Sequence, residues 1–335
     1  MQKNIKWYVS RLKKMSLLEL VHRISESVLY IKDCYKYQSG WLQSEQKVCS
    51  SKLSHQLALD LDEKRCEIDA LYSTEYSLTI LPFDNEVYFK QLHLVDDFDI
   101  RLYWESQRFN DLLLMALKGD CQQSISTFIS NWMEFNLPLR GVNYISTMEC
   151  AIRCINLYAT LSVLKSKNQL NDDILTLSNS FFVVNYELIR NRISKFSSRG
   201  NHTLFEYAGL VVCASVIVPN KQCYWLDKCL KEFDCQTLND GAGVEQSTAY
   251  HLFNTEVIWF IQKYLSDHIS VSKKLESALL FCADFWTDNR LVRIGDSDSS
   301  VLFSRAFIAE QLCSLKKNLK PKNIYSNCGI VSFRN

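Results

Sequence analysis

The sequence predicts an all-α fold, an incomplete α/α toroid of antiparallel helix hairpins that ends in one short strand. The 335 residues include only 9 Gly and 4 Pro, fewer turn residues than sheet-rich or loop-rich folds require. From Trp104 onward, apolar residues recur at helical spacing. The polar stretches between these segments are short, so consecutive helices should be antiparallel neighbours. No fixed-period repeat is present, which disfavours a regular α-solenoid.

The helical pattern divides the chain into three parts. We expect an N-terminal helical extension over residues 1–100, the toroid over 101–320, and a turn followed by a short alternating strand over 321–335. The toroid helices are predicted at about 104–118, 121–135, from Ser146 onward, 172–195, 202–217, 222–236, 245–266, 271–287 and 302–317.

The composition is that of an ordinary globular protein. Hydrophobic residues make up 47% and charged residues 22%, and the formal net charge is +1. Nothing in this balance indicates a nucleic-acid partner. The thirteen cysteines include no C-x-x-C motif, and most of them lie in apolar helical stretches. They predict buried, reduced thiols rather than a disulfide framework.

The first 35 residues predict a basic amphipathic helix. Lysines and arginines between Lys3 and Lys14 interrupt the apolar core that a signal peptide would need. No stretch reaches the ~18 apolar residues of a membrane span. The helix could touch a membrane surface, but a solvated helix face is the commoner arrangement. We expect a cytoplasmic protein, with the periplasm as the alternative.

Five segments are more polar than a helical scaffold requires. Most of them fall at predicted helix starts, at the same end of alternate helices, so one rim of a helical barrel should bring them together. The segments are 104–110, 140–149 with an extension to Arg153, 199–206, 240–251 and 294–298.

The residue types in these segments suit β-elimination on a uronic-acid polysaccharide. Such an enzyme neutralises the carboxylate beside C5, removes the C5 proton and protonates the oxygen that leaves C4. Asn201, at a predicted helix start, can neutralise a carboxylate through its amide and the helix N-terminus. Tyr250 and His202 are suitable proton-transfer groups. His251 is adjacent to Tyr250 on a helix, so only one of the two should face a substrate directly.

Each of these residues also has an ordinary structural interpretation. Asn201 could be an N-cap, and Tyr250 could be a core residue. Two pairs at i,i+4 spacing could be structural: His202 with Glu206, and Glu149 with Arg153 as a surface ion pair.

Metal and nucleophile chemistry have little support in the sequence. A zinc site is a poor fit, because His202 and His251 lack a further His or Cys at a recognised spacing. No motif supports a Ser or Cys triad. We therefore expect no cofactor.

The order of the polar segments resembles that of the heparinase II/III-like polysaccharide lyases, which include alginate- and heparan-cleaving enzymes. The resemblance runs from Trp104 to Asp298. It rests on five short motifs that occur in order: Trp-Glu…Arg-Phe at 104–109, Arg-Gly-Val-Asn…Met-Glu…Ala-Ile-Arg at 140–153, Asn-His…Glu…Ala-Gly-Leu at 201–210, Asp-Gly…Glu-Gln-Ser…Tyr-His at 240–251, and Gly-Asp-Ser-Asp at 295–298. Arg-Leu-Lys-Lys-Met-Ser at 11–16 also looks like members found among bacterial surface-polysaccharide genes.

The resemblance implies roles for individual residues. Asn201 matches the carboxylate-neutralising Asn, with His202 beside it, and Tyr250 matches the Tyr that serves as base and often also as acid. The residues expected to contact the sugar or to orient these groups are Arg108, Asn143, Glu149, Arg153, Glu206, Glu245 and His251. The implied partner is an acidic polysaccharide or oligosaccharide.

Two departures from the family pattern affect the expected function. Gly200 stands where the family often has the first Asn of Asn-Asn-His. Family members usually carry a C-terminal β-sandwich that contributes a His, and residues 329–334 look like its first strand. A partner could supply the missing domain. Two alternatives to a lyase therefore stay open, a non-catalytic acidic-glycan-binding protein and a polysaccharide-assembly protein.

Overall fold

The computed structural model describes residues 10, 14–43, 47–72, 85–92, 99–266, 272–287, 290–297, 301–317 and 319–333. Two features used in the sequence argument lie outside them: residues 1–9 and 11–13 of the basic N-terminal segment, and Asp298. In chain order the helices are α1 (Leu17–Lys36), α2 (His55–Glu63), α3 (Arg65–Tyr72), α4 (Ile100–Ser106), α5 (Asn110–Lys118), α6 (Gln122–Phe135), α7 (Thr147–Ser166), α8 (Asp172–Asn191), α9 (Asn201–Ile217), α10 (Gln222–Gln236), α11 (Thr248–Tyr264), α12 (Lys273–Asp284) and α13 (Arg305–Lys316). The predicted all-α fold is confirmed.

Two predicted elements differ from the structure. The single helix expected over 104–118 is divided into α4 and α5, because Phe109 adopts a left-handed backbone conformation with φ of 65°. The C-terminal segment is a hairpin rather than one strand. Its strands β3 (Lys322–Tyr325) and β4 (Ile330–Phe333) pair in antiparallel register. A second short hairpin joins β1 (Trp286–Thr287) to β2 (Arg290–Leu291).

The C-terminal hairpin docks on α12. The Tyr325 hydroxyl donates to Asp284 at 2.7 Å, and the Tyr325 ring lies edge-on to Phe281. The hairpin therefore has a partner within the helical body.

An inner layer is formed by α5, α7, α9 and α11, each packed on the next. α7 and α9 bury side chains around nearly their whole circumference, as helices with neighbours on all sides do. They approach closely at Gly209, where an added Cβ would lie 2.5 Å from the Cβ of Ala151. Helices α6, α8, α10 and α12 follow the inner helices in turn and run in the opposite direction. Each of them therefore brings the chain back to the end at which the preceding inner helix began. The four inner helices therefore start at one rim.

The buried thiols predicted from the sequence lie in these helices. Cys150, Cys154, Cys213 and Cys282 are buried, whereas Cys313 on α13 is exposed. The apolar setting of Cys313 in the sequence did not predict its position on the outer face of the helix.

The opposite ends of the inner helices are covered by the segment 47–72. The Ser54 amide donates to Ser162 near the end of α7 at 3.2 Å, and Asp60 on α2 accepts from Lys263 at the end of α11 at 2.6 Å. Among the described residues, this segment leaves the rim formed by the helix starts uncovered.

Helix α1 lies along the loop that joins α8 to α9. Asp33 pairs with Arg192 at 2.7 Å, and Lys36 pairs with Glu187. Ser16 caps α1 by accepting from the Glu19 amide. Within the described part of the chain, no helix is long and apolar enough to cross a membrane.

Candidate functional site

The rim brings together the helix starts that the sequence singled out. Arg108, just before α5, donates twice to Glu149 on α7, at 2.8 Å in each bond. The Thr147 hydroxyl of α7 donates to Glu206 on α9. Asn254 of α11 donates to Asn201 at the start of α9 at 2.6 Å. Each inner helix is therefore joined to the next by polar contacts close to the rim.

Asn201 is the first residue of α9, and its side chain does not cap the helix. The N-cap is Gly200, so the capping interpretation of Asn201 is wrong. The Asn201 Oδ1 atom accepts from Asn254, and the Nδ2 atom lies 3.5 Å from the exposed carboxylate of Glu245. The amide therefore turns its N–H groups toward the open side of the rim, where an anion can reach them.

A polar network behind Asn201 fixes this orientation. Asn254 also donates to Gln236 at 3.1 Å, so both N–H groups of the Asn254 amide have acceptors. Gln236 donates to the Gly200 carbonyl at 2.7 Å and to Glu232 at 2.8 Å. Glu232 in turn accepts a two-pronged contact from Arg199. This network of hydrogen bonds holds the Asn201 oxygen facing inward, toward Asn254.

Sequence reasoning did not identify Asn254 or Gln236 as part of the site. One available signal was the i,i+4 spacing of Tyr250 and Asn254 on α11, which places them on one helix face. Since Asn254 contacts Asn201, Tyr250 stands on the same side one turn closer to the rim.

Tyr250 is partly exposed and lies near a cation that the sequence also did not single out. Arg101 on α4 is held by Asp99 through bonds of 3.0 and 2.9 Å. The Asp99 carboxylate raises the pKa of Arg101, with smaller contributions from Tyr250 and Asp296. A guanidinium within electrostatic range of a phenol stabilises the negative charge that forms when the phenol gives up its proton.

His202 follows Asn201 on α9 and keeps an accessible edge. The protein around the ring withdraws it from water and lowers its pKa, against the opposing influence of Glu149 and Glu245. The imidazole is therefore neutral at neutral pH and can either accept or donate a proton. The rim thus places an amide, a neutral imidazole and a phenol on neighbouring helix starts.

Four residues predicted to bind substrate lie behind this surface. Arg108 is 8% exposed, Glu149 is 3% exposed, and Asn143 and Arg153 are fully buried. Their burial leaves the expected contact with a sugar without support, and it fits the other role expected of these residues, the orientation of the groups at the rim. The surface ion pair between Glu149 and Arg153 is also wrong, since both are buried and Glu149 pairs with Arg108.

The interior polar groups at the start of α7 pair with one another in part, and the Nε and Nη1 atoms of Arg153 have no hydrogen-bond partner among the described residues. Burial alone would raise the pKa of Glu149, but the guanidinium of Arg108, assisted by Arg153, holds that pKa below its usual value. Arg153 donates to the Asn143 carbonyl at 2.6 Å and stacks against Trp132. The start of α7 is therefore an ionised but internal scaffold.

Glu206 is also buried and joins two rim segments. It accepts from the amide and the hydroxyl of Ser194, at 2.6 and 2.7 Å, and from Thr147. Burial raises the pKa of Glu206 to about 7. Its carboxylate oxygens are taken up by Ser194 and Thr147, so neither sugar binding nor a pair with His202 describes its position.

His251 points away from the rim, as its position next to Tyr250 suggested for one of the two. It is buried, it packs edge-on to Phe281, and it lies under Gly243. Burial lowers the pKa of His251 to about 4. Its Nε2 atom has no hydrogen-bond partner among the described residues. The expected sugar contact from His251 is therefore wrong.

Gly200 explains how Glu245 reaches the start of α9. Gly200 has φ of 110°, which residues with a Cβ rarely adopt, and a Cβ there would collide with the Glu245 carboxylate. The departure from the Asn-Asn-His pattern therefore creates room for an acidic side chain beside Asn201.

A cavity of about 200 Å³ opens beside the rim between α1 and the starts of α7 and α9. Its lining is mainly cationic and hydroxylic, which suits an anionic or sugar ligand. The residues are His22, Arg23, Glu26, Phe89, Lys90, Tyr144, Ile145, Thr147, Arg192, Ser194, Lys195 and Ser198.

Comparison with known proteins identifies the central part of the chain. The family model described as the heparinase II/III N-terminus matches residues 137–277. The match spans α7 to α11 and includes Asn201, His202 and Tyr250, while Arg108 lies outside it. No curated protein and no solved structure matches the chain. Over residues 137–277 the chain is therefore similar to the N-terminal domain of the heparinase II/III family.

Proposed function

We propose that the protein is a polysaccharide lyase that cleaves a uronic-acid-containing polysaccharide by β-elimination, with residues 101–320 as its catalytic domain. The observation that carries the proposal is the oriented amide of Asn201. Its oxygen is held by Asn254 at 2.6 Å, so its N–H groups face the accessible rim beside His202 and Tyr250. The family relationship supports a carbohydrate substrate.

The first requirement is neutralisation of the substrate carboxylate. In the free protein the Asn201 amide lies 3.5 Å from the Glu245 carboxylate. We propose that the uronate carboxylate replaces Glu245 at this position, which the exposure of Glu245 permits. The start of α9 adds its backbone dipole to the same anion. Removing charge from the carboxylate makes the proton on C5 more acidic.

The second requirement is transfer of that proton. Tyr250, as the phenolate, takes the proton from C5. The C5–H electrons form the C4–C5 double bond, and the C4–O bond breaks. The departing oxygen receives a proton from Tyr250 or from the neutral ring of His202. Arg101 stabilises the phenolate, and the buried groups at the start of α7 keep the rim rigid.

Absorbance near ~232 nm, the band of an unsaturated uronate, tests the proposal on a panel of acidic polysaccharides. A rise with at least one polymer that disappears in Tyr250→Phe supports the lyase, and the expected loss is at least about 100-fold. A flat trace for the wild-type protein across the panel contradicts it. Binding of uronic-acid oligomers without a rise would instead indicate an acidic-glycan-binding protein.

A further inference from the structure

The outer face of α1 carries an uninterrupted apolar stripe that nothing in the described structure covers. The stripe consists of Leu17, Val21, Ile24, Val28, Ile31 and Tyr35, at alternating spacings of four and three residues. Each of these side chains is more than half exposed, and Leu18 beside them is 75% exposed. At 1.5 Å per residue the stripe is about 27 Å long. Isolated exposed apolar residues are common, but a continuous row of this length marks an interaction surface.

The opposite face of α1 contacts the body of the protein through polar and aromatic groups. Asp33 pairs with Arg192, the His22 ring lies against Phe196, and the Tyr30 ring packs edge-on against Phe89. An amphipathic helix on a globular protein normally turns its apolar face inward. Here a mixed polar and aromatic face is used for attachment, so the apolar stripe is left for another surface.

The charge of this segment indicates the chemistry of that surface. Residues 1–36 contain eight Lys and Arg against three Asp and Glu, an excess of five positive charges in a chain whose formal net charge is +1. On α1, Lys32 is exposed one turn after Val28 of the stripe, and Lys14, three residues before the helix begins, is exposed as well. Long basic side chains beside an apolar face reach anionic headgroups while their stems lie on the apolar layer.

We propose that α1 is a membrane-docking helix that lies in the plane of an anionic phospholipid surface, with the stripe inserted at the boundary between headgroups and acyl chains. A second copy of the chain could also cover an apolar stripe. However, α1 itself carries equal numbers of acidic and basic residues, and the positive excess lies in residues 1–16, which hold five Lys and Arg and no Asp or Glu. Two copies would repel one another through these residues, whereas anionic headgroups complement them. This proposal does not depend on the proposed lyase activity.

Docking in this way would place the candidate site next to the bilayer. His22 and Arg23 of α1 line the same cavity as Thr147 and Lys195 of the rim. The start of α9, which carries Asn201, follows Lys195 along the chain. A polymer held at a membrane surface would therefore meet the rim without the protein having to turn away from the membrane.

Co-sedimentation of the full-length chain with vesicles tests this proposal. Vesicles of phosphatidylcholine containing phosphatidylglycerol are compared with vesicles of phosphatidylcholine alone. We expect at least about tenfold stronger binding to the anionic vesicles, and weaker binding as salt is added. The triple variant Ile24→Ser, Val28→Ser, Ile31→Ser should lose this binding at least about tenfold. Its side chains are exposed, so the melting temperature should change little.

The matched control is Phe135→Ser, which removes an equally exposed apolar side chain at the end of α6, and we expect it to bind vesicles like the wild type. Lys32→Glu should weaken binding to the anionic vesicles and should leave binding to phosphatidylcholine vesicles unchanged. The proposal is overturned if the wild type ignores anionic vesicles or if the triple variant binds as well as the wild type. It is also overturned if sedimentation shows a dimer that the triple variant abolishes while vesicle binding is absent.

Discussion

The starts of α7 and α9 are built from similar polar residues, yet they do different work in the structure. At α7, Glu149 and Arg153 are turned inward, where Glu149 pairs with Arg108 and Arg153 donates to the Asn143 carbonyl. At α9, Asn201 and His202 stay accessible, and the oxygen of Asn201 is held by a short bond from Asn254. Polar helix starts thus form a rigid support in one case and an open group of donors in the other.

The difference comes from what precedes each helix. A short 3₁₀ turn, Val142–Tyr144, folds over the start of α7, and the Trp104 indole donates to the carbonyl of Val142 at 3.0 Å. α9 is preceded by Gly200, whose φ of 110° leads the chain away and leaves the first residues uncovered. A polar helix start is therefore a candidate for chemistry only where the preceding loop leaves it open.

The largest effect is expected at the buried start of α7. Glu149→Gln would remove the buried counter-charge of Arg108 and leave Glu105, 4.0 Å away, as the carboxylate beside it, with Arg153 close by. We expect a loss of about 3–5 kcal/mol in the free energy of unfolding, measured by chemical denaturation. Arg153→Met is the matched control, because it keeps the pair between Arg108 and Glu149. An unchanged stability in Glu149→Gln would contradict the scaffold role.

A second effect concerns pH, because Glu206 and Glu256 are buried with no cationic partner among the described residues. Burial raises the pKa of Glu206 to about 7 and that of Glu256 to about 8. Both are neutral in the folded chain at pH 5, whereas they are largely ionised in the unfolded chain. Stability should therefore fall as the pH rises from about 5 to 8, by several kcal/mol in total.

Glu256→Gln isolates one contribution to that slope. The amide keeps an acceptor for the Leu302 amide, which donates to Glu256 at 3.0 Å, but it cannot ionise. We expect this variant to lose stability less steeply between pH 5 and 8 than the wild type, as measured by melting temperature across that range. A slope equal to the wild-type slope would show that ionisation of Glu256 does not contribute to the pH dependence of stability.

A smaller effect is expected from Asn254→Asp at the open start of α9. A carboxylate at residue 254 cannot donate to the Asn201 oxygen, so the Asn201 amide should turn its oxygen toward the rim and repel a substrate carboxylate. We expect kcat/KM to fall by about 10–100-fold, with a melting temperature within a few degrees of the wild type. Wild-type kinetics in a folded variant would show that the Asn254 contact does not position Asn201.

The smallest of these effects is expected from Gly200→Ala. The methyl group would force both the positive φ and the contact with Glu245 to change, at a cost of about 1–2 kcal/mol. Adding Glu245→Ala should recover only the part that comes from the collision. Full recovery in the double variant would mean that the backbone conformation of Gly200 contributes nothing.

The sequence predicted the fold and the shared rim, but it did not predict how deeply each side chain is buried. Helical spacing and turn residues predicted α6 and α10 to within one residue, and alternate helix starts predicted a shared rim. The division of α4 from α5 depends on a left-handed Phe109, which no local pattern indicates. Whether Glu149 or Glu245 meets solvent depends on loops packed from distant parts of the chain, so residue type alone could not separate the two.

The most direct test compares one tyrosine from each helix start. Tyr250→Phe removes the proposed proton-transfer group at the open rim, while Tyr144→Phe removes a hydroxyl that donates to the Asn136 carbonyl at 3.1 Å in the covered turn. With a polymer that the wild type cleaves, absorbance near ~232 nm should stay flat for folded Tyr250→Phe and should rise at close to the wild-type rate for Tyr144→Phe, which should lose only about 1 kcal/mol of stability. A wild-type rate in Tyr250→Phe, or equal losses of activity in both variants, would contradict the assignment of chemistry to the α9 and α11 starts.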